Sequence, residues 1–106
     1  GRGYAALDDR ELRMDAVRDV ASAHAWLAAR PDIDATRIAA MGQSYGGWMT
    51  LMAATHHPDL WAAAVEFYGI ARWKTFFERT GPWRVGHRAA EYGDPVRDAE
   101  LLETLS

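Results

Sequence analysis

The sequence contains no cysteine, which excludes disulfide staples, thiolate nucleophiles and cysteine-ligated zinc. Lysine is almost missing as well: one of the 12 basic residues is Lys74 and the rest are arginine, while 15 acidic residues leave a net charge of -3. That balance argues against a nucleic-acid partner, whose footprint is a basic patch. No apolar run approaches a membrane span, and no apolar signal core follows Gly1-Arg2-Gly3-Tyr4. A cytoplasmic protein with no membrane partner is the expectation. Repeats and low-complexity tracts are absent too. What is abundant is hydrophobic sequence, 49% of 106 residues, which is neither a disordered tail nor a fibre. The length suits one small domain or part of a larger one. Without disulfides, stability must come from core packing or from neighbouring chain.

The first ten residues, with Gly1, Gly3 and the Asp8-Asp9 pair, read as loop. From about Glu11 to Ala29, Met14, Val17, Val20, Ala21, His24 and Leu27 recur at helical spacing, and Pro31 stops the helix. Arg37 to Met41 is a short apolar run ending at Gly42, too brief for a helix and suited to a buried strand. A second helix is predicted from Tyr45 to His57, with Trp48, Leu51, Met52 and Thr55 on one face and Pro58 beyond it. Trp61 to Phe67 reads as a second strand. A strand, a crossover helix and a strand imply a parallel pair. Beyond Gly69 the pattern becomes irregular, with short helices expected at Arg84 to Tyr92 and Asp98 to Leu105. Two strands make too small a sheet to stand alone. The missing initiator methionine agrees with a slice of a larger α/β domain.

Gly42-Gln43-Ser44-Tyr45-Gly46-Gly47 fits the pattern G-x-S-x-G at the predicted strand-to-helix junction. A corner that tight holds its serine in a strained backbone conformation and needs glycines so that strand and helix can approach. The expectation is that Ser44 has positive φ and projects its hydroxyl as a nucleophile. The Tyr45 amide, at the positive end of the helix, would face an oxyanion. The glycines fit neither a dinucleotide-binding fingerprint nor a phosphate loop, which would also need a lysine. No cofactor is expected.

The histidines supply no evident base. His24 lies inside the first helix. His56 is about 16 Å of helix from Ser44, too far for a general base, and His57 follows it. His87 stands in the irregular part of the chain. Adjacent His56 and His57 cannot share a helix face, so no metal is expected. Asp8, Asp9, Asp15 and Asp19 read as solvated charges rather than a ligand cluster. Ile70, Trp73 and Phe76 are three apart and would form one apolar ridge if helical. They are either core or, because they leave the carboxyl end of a strand beside the corner, the wall of a ligand pocket. Arg72 and Glu66 are the nearest charges, and a surface ion pair is the plainer role for them.

The run Gly42-Gln43-Ser44-Tyr45-Gly46-Gly47-Trp48-Met49 resembles the nucleophile region of the prolyl oligopeptidase family of serine peptidases, in its acylaminoacyl-peptidase and dipeptidyl-peptidase branches. Asp15 to Val20, Ala25-Trp26-Leu27, Asp34, Arg37-Ile38-Ala39, Gly3-Tyr4, Tyr92-Gly93-Asp94-Pro95 and Leu105-Ser106 extend the resemblance over nearly the whole chain. It implies the central part of an α/β-hydrolase catalytic domain, a three-layer sandwich with a mostly parallel sheet, usually preceded by a β-propeller. It implies Ser44 as nucleophile, with the triad Asp and His beyond Ser106, and therefore an isolated chain without triad activity. It also implies that Tyr45, Ile70, Trp73 and Phe76 line the pocket for the acyl-side residue of a peptide or acylated peptide. A carboxylesterase or lipase on the same fold, or a non-catalytic binding protein that kept the fold, is the alternative.

Overall fold

A computed structural model describes residues 1–106. The chain forms two compact units, residues 17–70 and residues 1–16 with 71–106.

The unit of residues 17–70 holds the strand–helix–strand core. Helix α2 (Arg13–Ala28) enters it and turns Val17 and His24 inward, seven residues apart on one face. The Asp34 carboxylate then accepts the Thr36 N–H at 2.9 Å and the Thr36 hydroxyl at 2.6 Å, and these bonds hold its carboxyl below the ordinary range. The resulting turn over Ala35–Arg37 launches strand β1 (Ala39–Gln43). Helix α3 (Tyr45–His56) follows without a loop and ends ahead of Pro58, and strand β2 is Ala63–Phe67. The strands pair in parallel, with Ala39 opposite Ala63, Gly42 opposite Glu66 and Gln43 opposite Phe67. Trp48, Met52 and Ala53 of α3 are buried. The parallel pair and its connecting helix are as the sequence predicts. β1 begins two residues later than expected, because Arg37 is spent in the turn, and runs on through Gly42 and Gln43.

One face of this sheet is open, and no residue of either strand is fully buried, unlike the buried strand expected at Arg37 to Met41. Met41 is 75% exposed, Val65 43% and Phe67 50%, and every residue of β2 is exposed. Met41 lies opposite Val65 in the register, and Phe67 is two residues on, so the three share a face. The structure is thus part of an α/β fold, a two-stranded parallel sheet with helices.

The other unit joins the N-terminal segment to three helices. The first ten residues are not loop: α1 (Arg2–Ala5) and two short 3-10 turns are closed by local bonds such as Ala5 N–H to Gly1 C=O at 3.0 Å. Arg13, 1% exposed, donates to Asp8 Oδ2 at 3.0 Å and to the Glu91 carbonyl at 3.2 Å, and lies 4.9 Å over the Tyr92 ring. A guanidinium is kept buried only by such partners. α4 (Trp73–Glu78) supplies Trp73 and Phe77 to the core and α6 (Ala99–Thr104) supplies Leu102, while α5 (Pro82–Tyr92) between them buries no residue fully. α5 starts earlier than expected because Pro82 suits a first helical turn. It ends at Gly93, whose φ of 121° favours glycine. No helix is long and apolar enough to cross a membrane.

Candidate active site

Ser44 sits between β1 and α3 with φ 55° and ψ -119°, the positive φ expected of a strand-to-helix corner. Its N–H donates to the Phe67 carbonyl at 3.0 Å, extending the ladder by one bond past the strands. Its carbonyl accepts the Trp48 N–H at 3.2 Å, the first bond of the helix. Ser44 makes no side-chain capping bond. The residue is exposed, so its hydroxyl stands at the surface at the carboxyl end of β1.

Two glycines make the corner possible. A β-carbon at Gly42 would lie 2.1 Å from the Gly46 carbonyl oxygen, and one at Gly47 would lie 2.5 Å from the Gly69 Cα. Neither space exists for a side chain. Gly46, which the motif reading assigned to close approach, meets nothing within 4 Å at that position. It contributes its carbonyl, which also accepts the Thr50 hydroxyl at 2.9 Å. The second close approach is therefore α3 against the turn after β2, through Gly47.

That turn is built by Glu66, whose carboxylate accepts the Gly69 N–H at 2.7 Å. The sequence suggested an ion pair for Glu66; a backbone amide takes its place. Arg72 does form one, with Glu103 at 3.0 Å. Tyr68 has φ 40°, and its hydroxyl donates to the Gln43 side-chain oxygen at 3.0 Å. Neither Tyr68 nor the side chain of Gln43 stands out in the sequence. A Glu three residues before a Gly just past a strand was the available signal for the turn; nothing signalled the Tyr68 bond.

Tyr45 is the first residue of α3, where amides point out of the helix end and the dipole is positive. Its half-buried ring lies 5.3 Å from that of Trp48. Ile70 is half-buried in the same unit, just past β2. Trp73 and Phe76 belong to the other unit. Trp73 has no exposed surface; its indole N–H donates to the Leu105 carbonyl at 3.2 Å and its ring lies 4.5 Å from that of Tyr92, tilted by 41°. Phe76 is half-buried, with its ring 5.4 Å from Trp73 and the Arg88 guanidinium 4.5 Å above it. Burial pushes the Tyr92 phenol above its ordinary 10.0. Ile70, Trp73 and Phe76 do not form one helical ridge, because Arg72 is extended and α4 begins only at Trp73.

His24 is buried edge-on against Trp61 at 5.1 Å, and His56 Nδ1 lies 3.1 Å from the Met52 carbonyl. No three acidic or histidine side chains converge as a metal site. A cavity of about 330 Å³ opens between Val20, Met41, Met49 and Trp61; Ser44 does not line it.

The prolyl oligopeptidase family matches the chain over residues 1–106. Dipeptidyl aminopeptidase BIII of Pseudoxanthomonas mexicana is 31% identical over 84 residues, 76% of this chain and 12% of that protein. Cutinase est2 of Thermobifida alba is 45% identical over 56 residues, 53% of this chain and 19% of that protein. A cutinase of Thermobifida fusca is 43% identical over the same length, 18% of its own chain. The chain thus spans about a fifth or less of these relatives. No solved structure matches it.

Proposed function

The chain belongs to the prolyl oligopeptidase family of serine hydrolases, and from that footing we propose that Ser44 is the nucleophile of an acyl hydrolase. The observation that carries this is the Ser44 corner: a positive φ, an exposed serine and the start of α3 immediately behind it. In the proposed reaction the Ser44 hydroxyl attacks a substrate carbonyl. Its proton passes to a histidine oriented by an aspartate, both outside residues 1–106. The Tyr45 amide takes the developing negative charge, the leaving group departs with the proton, and water releases the acyl-enzyme. The two-stranded sheet is then the centre of a larger, three-layer α/β-hydrolase domain, with a β-propeller as its neighbour. Tyr45 and Ile70, which lie in the same unit as Ser44, are proposed to wall the acyl-side pocket.

Two substrate classes have specific support. Ester cleavage is favoured by the cutinases, which share the higher identity. Peptide cleavage is favoured by the family match over all 106 residues and by the longer alignment with a dipeptidyl aminopeptidase. The deciding experiment compares kcat/KM on short peptide anilides and on p-nitrophenyl esters of matched acyl group, using the intact protein. Ser44→Ala is expected to lower activity on whichever class is cleaved by at least about a thousandfold. Peptide turnover lost in Ser44→Ala establishes the peptidase. Ester turnover with no cleavage across a broad peptide panel establishes the esterase.

A further inference from the structure

Tyr68 occupies a backbone conformation that costs energy for any residue with a β-carbon, since its φ is 40°. The sequence places a tyrosine there and puts the glycine one position later. Gly69 is itself committed: its Cα faces Gly47 so closely that neither can carry a side chain. A residue kept at positive φ where glycine or asparagine would fit at lower cost is held for its side chain. The Tyr68 hydroxyl reaches across the strand ends and donates to Gln43 Oε1 at 3.0 Å. Gln43 is the residue before Ser44, and Phe67, just before Tyr68, takes the Ser44 N–H. The two residues at the end of β1 are thus tied to the two at the end of β2, once through backbone and once through side chains. The Glu66 bond to the Gly69 N–H anchors the same turn from its far side.

We infer that Tyr68 is a positioning residue for the nucleophile corner, acting on Ser44 through its hydrogen bond to Gln43. The inference rests on the reading of Ser44 as nucleophile. The bond limits rotation of the Gln43–Ser44 segment, and with it the direction in which the hydroxyl approaches a carbonyl. Small errors in that direction are costly to rate and leave binding untouched.

The test uses the intact protein with Tyr68→Phe, Gln43→Ala and the double variant. Each single change is expected to lower kcat about three- to tenfold, the worth of one neutral hydrogen bond, with KM unchanged and the thermal midpoint lowered by no more than a few degrees. The double variant is expected to lose no more than the single ones. Hydrogen exchange at the Ser44 amide, read without any substrate, is expected to quicken by a similar factor in all three. Additive losses, a change in KM alone, or unaltered kcat and exchange would each overturn the inference. Ser44→Ala in the same assay separates the two readings. Activity surviving in Ser44→Ala removes the nucleophile assignment and with it any catalytic role for the bond. Activity lost in Ser44→Ala but untouched in Tyr68→Phe removes the inference alone.

Discussion

Gly42 and Gly47 lie where strand, helix and the following turn come within bonding distance of occupying the same space. The Gly42 contact is with a backbone oxygen and the Gly47 contact is with backbone carbon, so neither neighbour can swing aside. Gly42→Ala and Gly47→Ala are expected to destabilise by about 1–3 kcal/mol, the usual cost of overpacking. Gly46→Ala enters open space and adds a better helix former, so its stability is expected to be unchanged or higher. Urea midpoints at constant slope measure all three. The motif's spacing made Ser44 and the corner legible in the sequence. It did not reveal which glycines bear the steric load, because that depends on Gly69, 22 positions away from Gly47 and joined to it only by the parallel pairing.

Among the elements, those with repeated apolar spacing were legible and those closed by local polar bonds were not. α2 and α3 show helical spacing, and the two strands are apolar runs whose shortness and place on either side of a helix fix their type. α1 and its neighbouring turns have none; glycines and paired aspartates masked a segment held by its own backbone bonds. α4 was hidden differently, since Ile70 extended the aromatic spacing past a helix start that the extended Arg72 fixes. The link from α5 to α6 is another locally closed element. Asp94 Oδ1 accepts the Val96 and Arg97 N–H groups, each at 2.9 Å, and Asp98 accepts the Asp94 N–H at 2.7 Å. The backbone bonds from Arg97 and Val96 hold the Asp94 carboxyl below its ordinary 3.8. The folded form therefore binds this proton less readily than the unfolded chain. The stabilisation is present above about pH 4 and fades as pH falls through the lowered folded value. An Asp94→Asn variant is expected to show a flatter acid limb in stability against pH, with the neutral plateau lowered, as followed by urea titration between pH 2 and 6.

For the whole molecule, the matched part of the 106 residues covers 12% to 21% of its relatives. The sheet expresses the same proportion physically. A parallel sheet is ordinarily covered on both faces, and here the Met41, Val65 and Phe67 face is bare. Ester or peptide preference was not legible, because the Gly42–Gly47 corner is common to hydrolases of both kinds.

The bare face also governs how the 106-residue chain behaves at high concentration. Strands with apolar side chains on an uncovered face and ladder groups at their margins are templates for other chains, and neither strand carries the lysines that deter such pairing. Self-association rising with concentration is expected in sedimentation velocity. Met41→Lys and Val65→Lys, which place charge at facing positions of the register, are expected to suppress it while leaving the helical circular dichroism intact. Unaltered association in that pair would show that the sheet is not where the chains meet. The face that carries Gln43 beside the Ser44 corner is then also the one through which the chains are expected to meet.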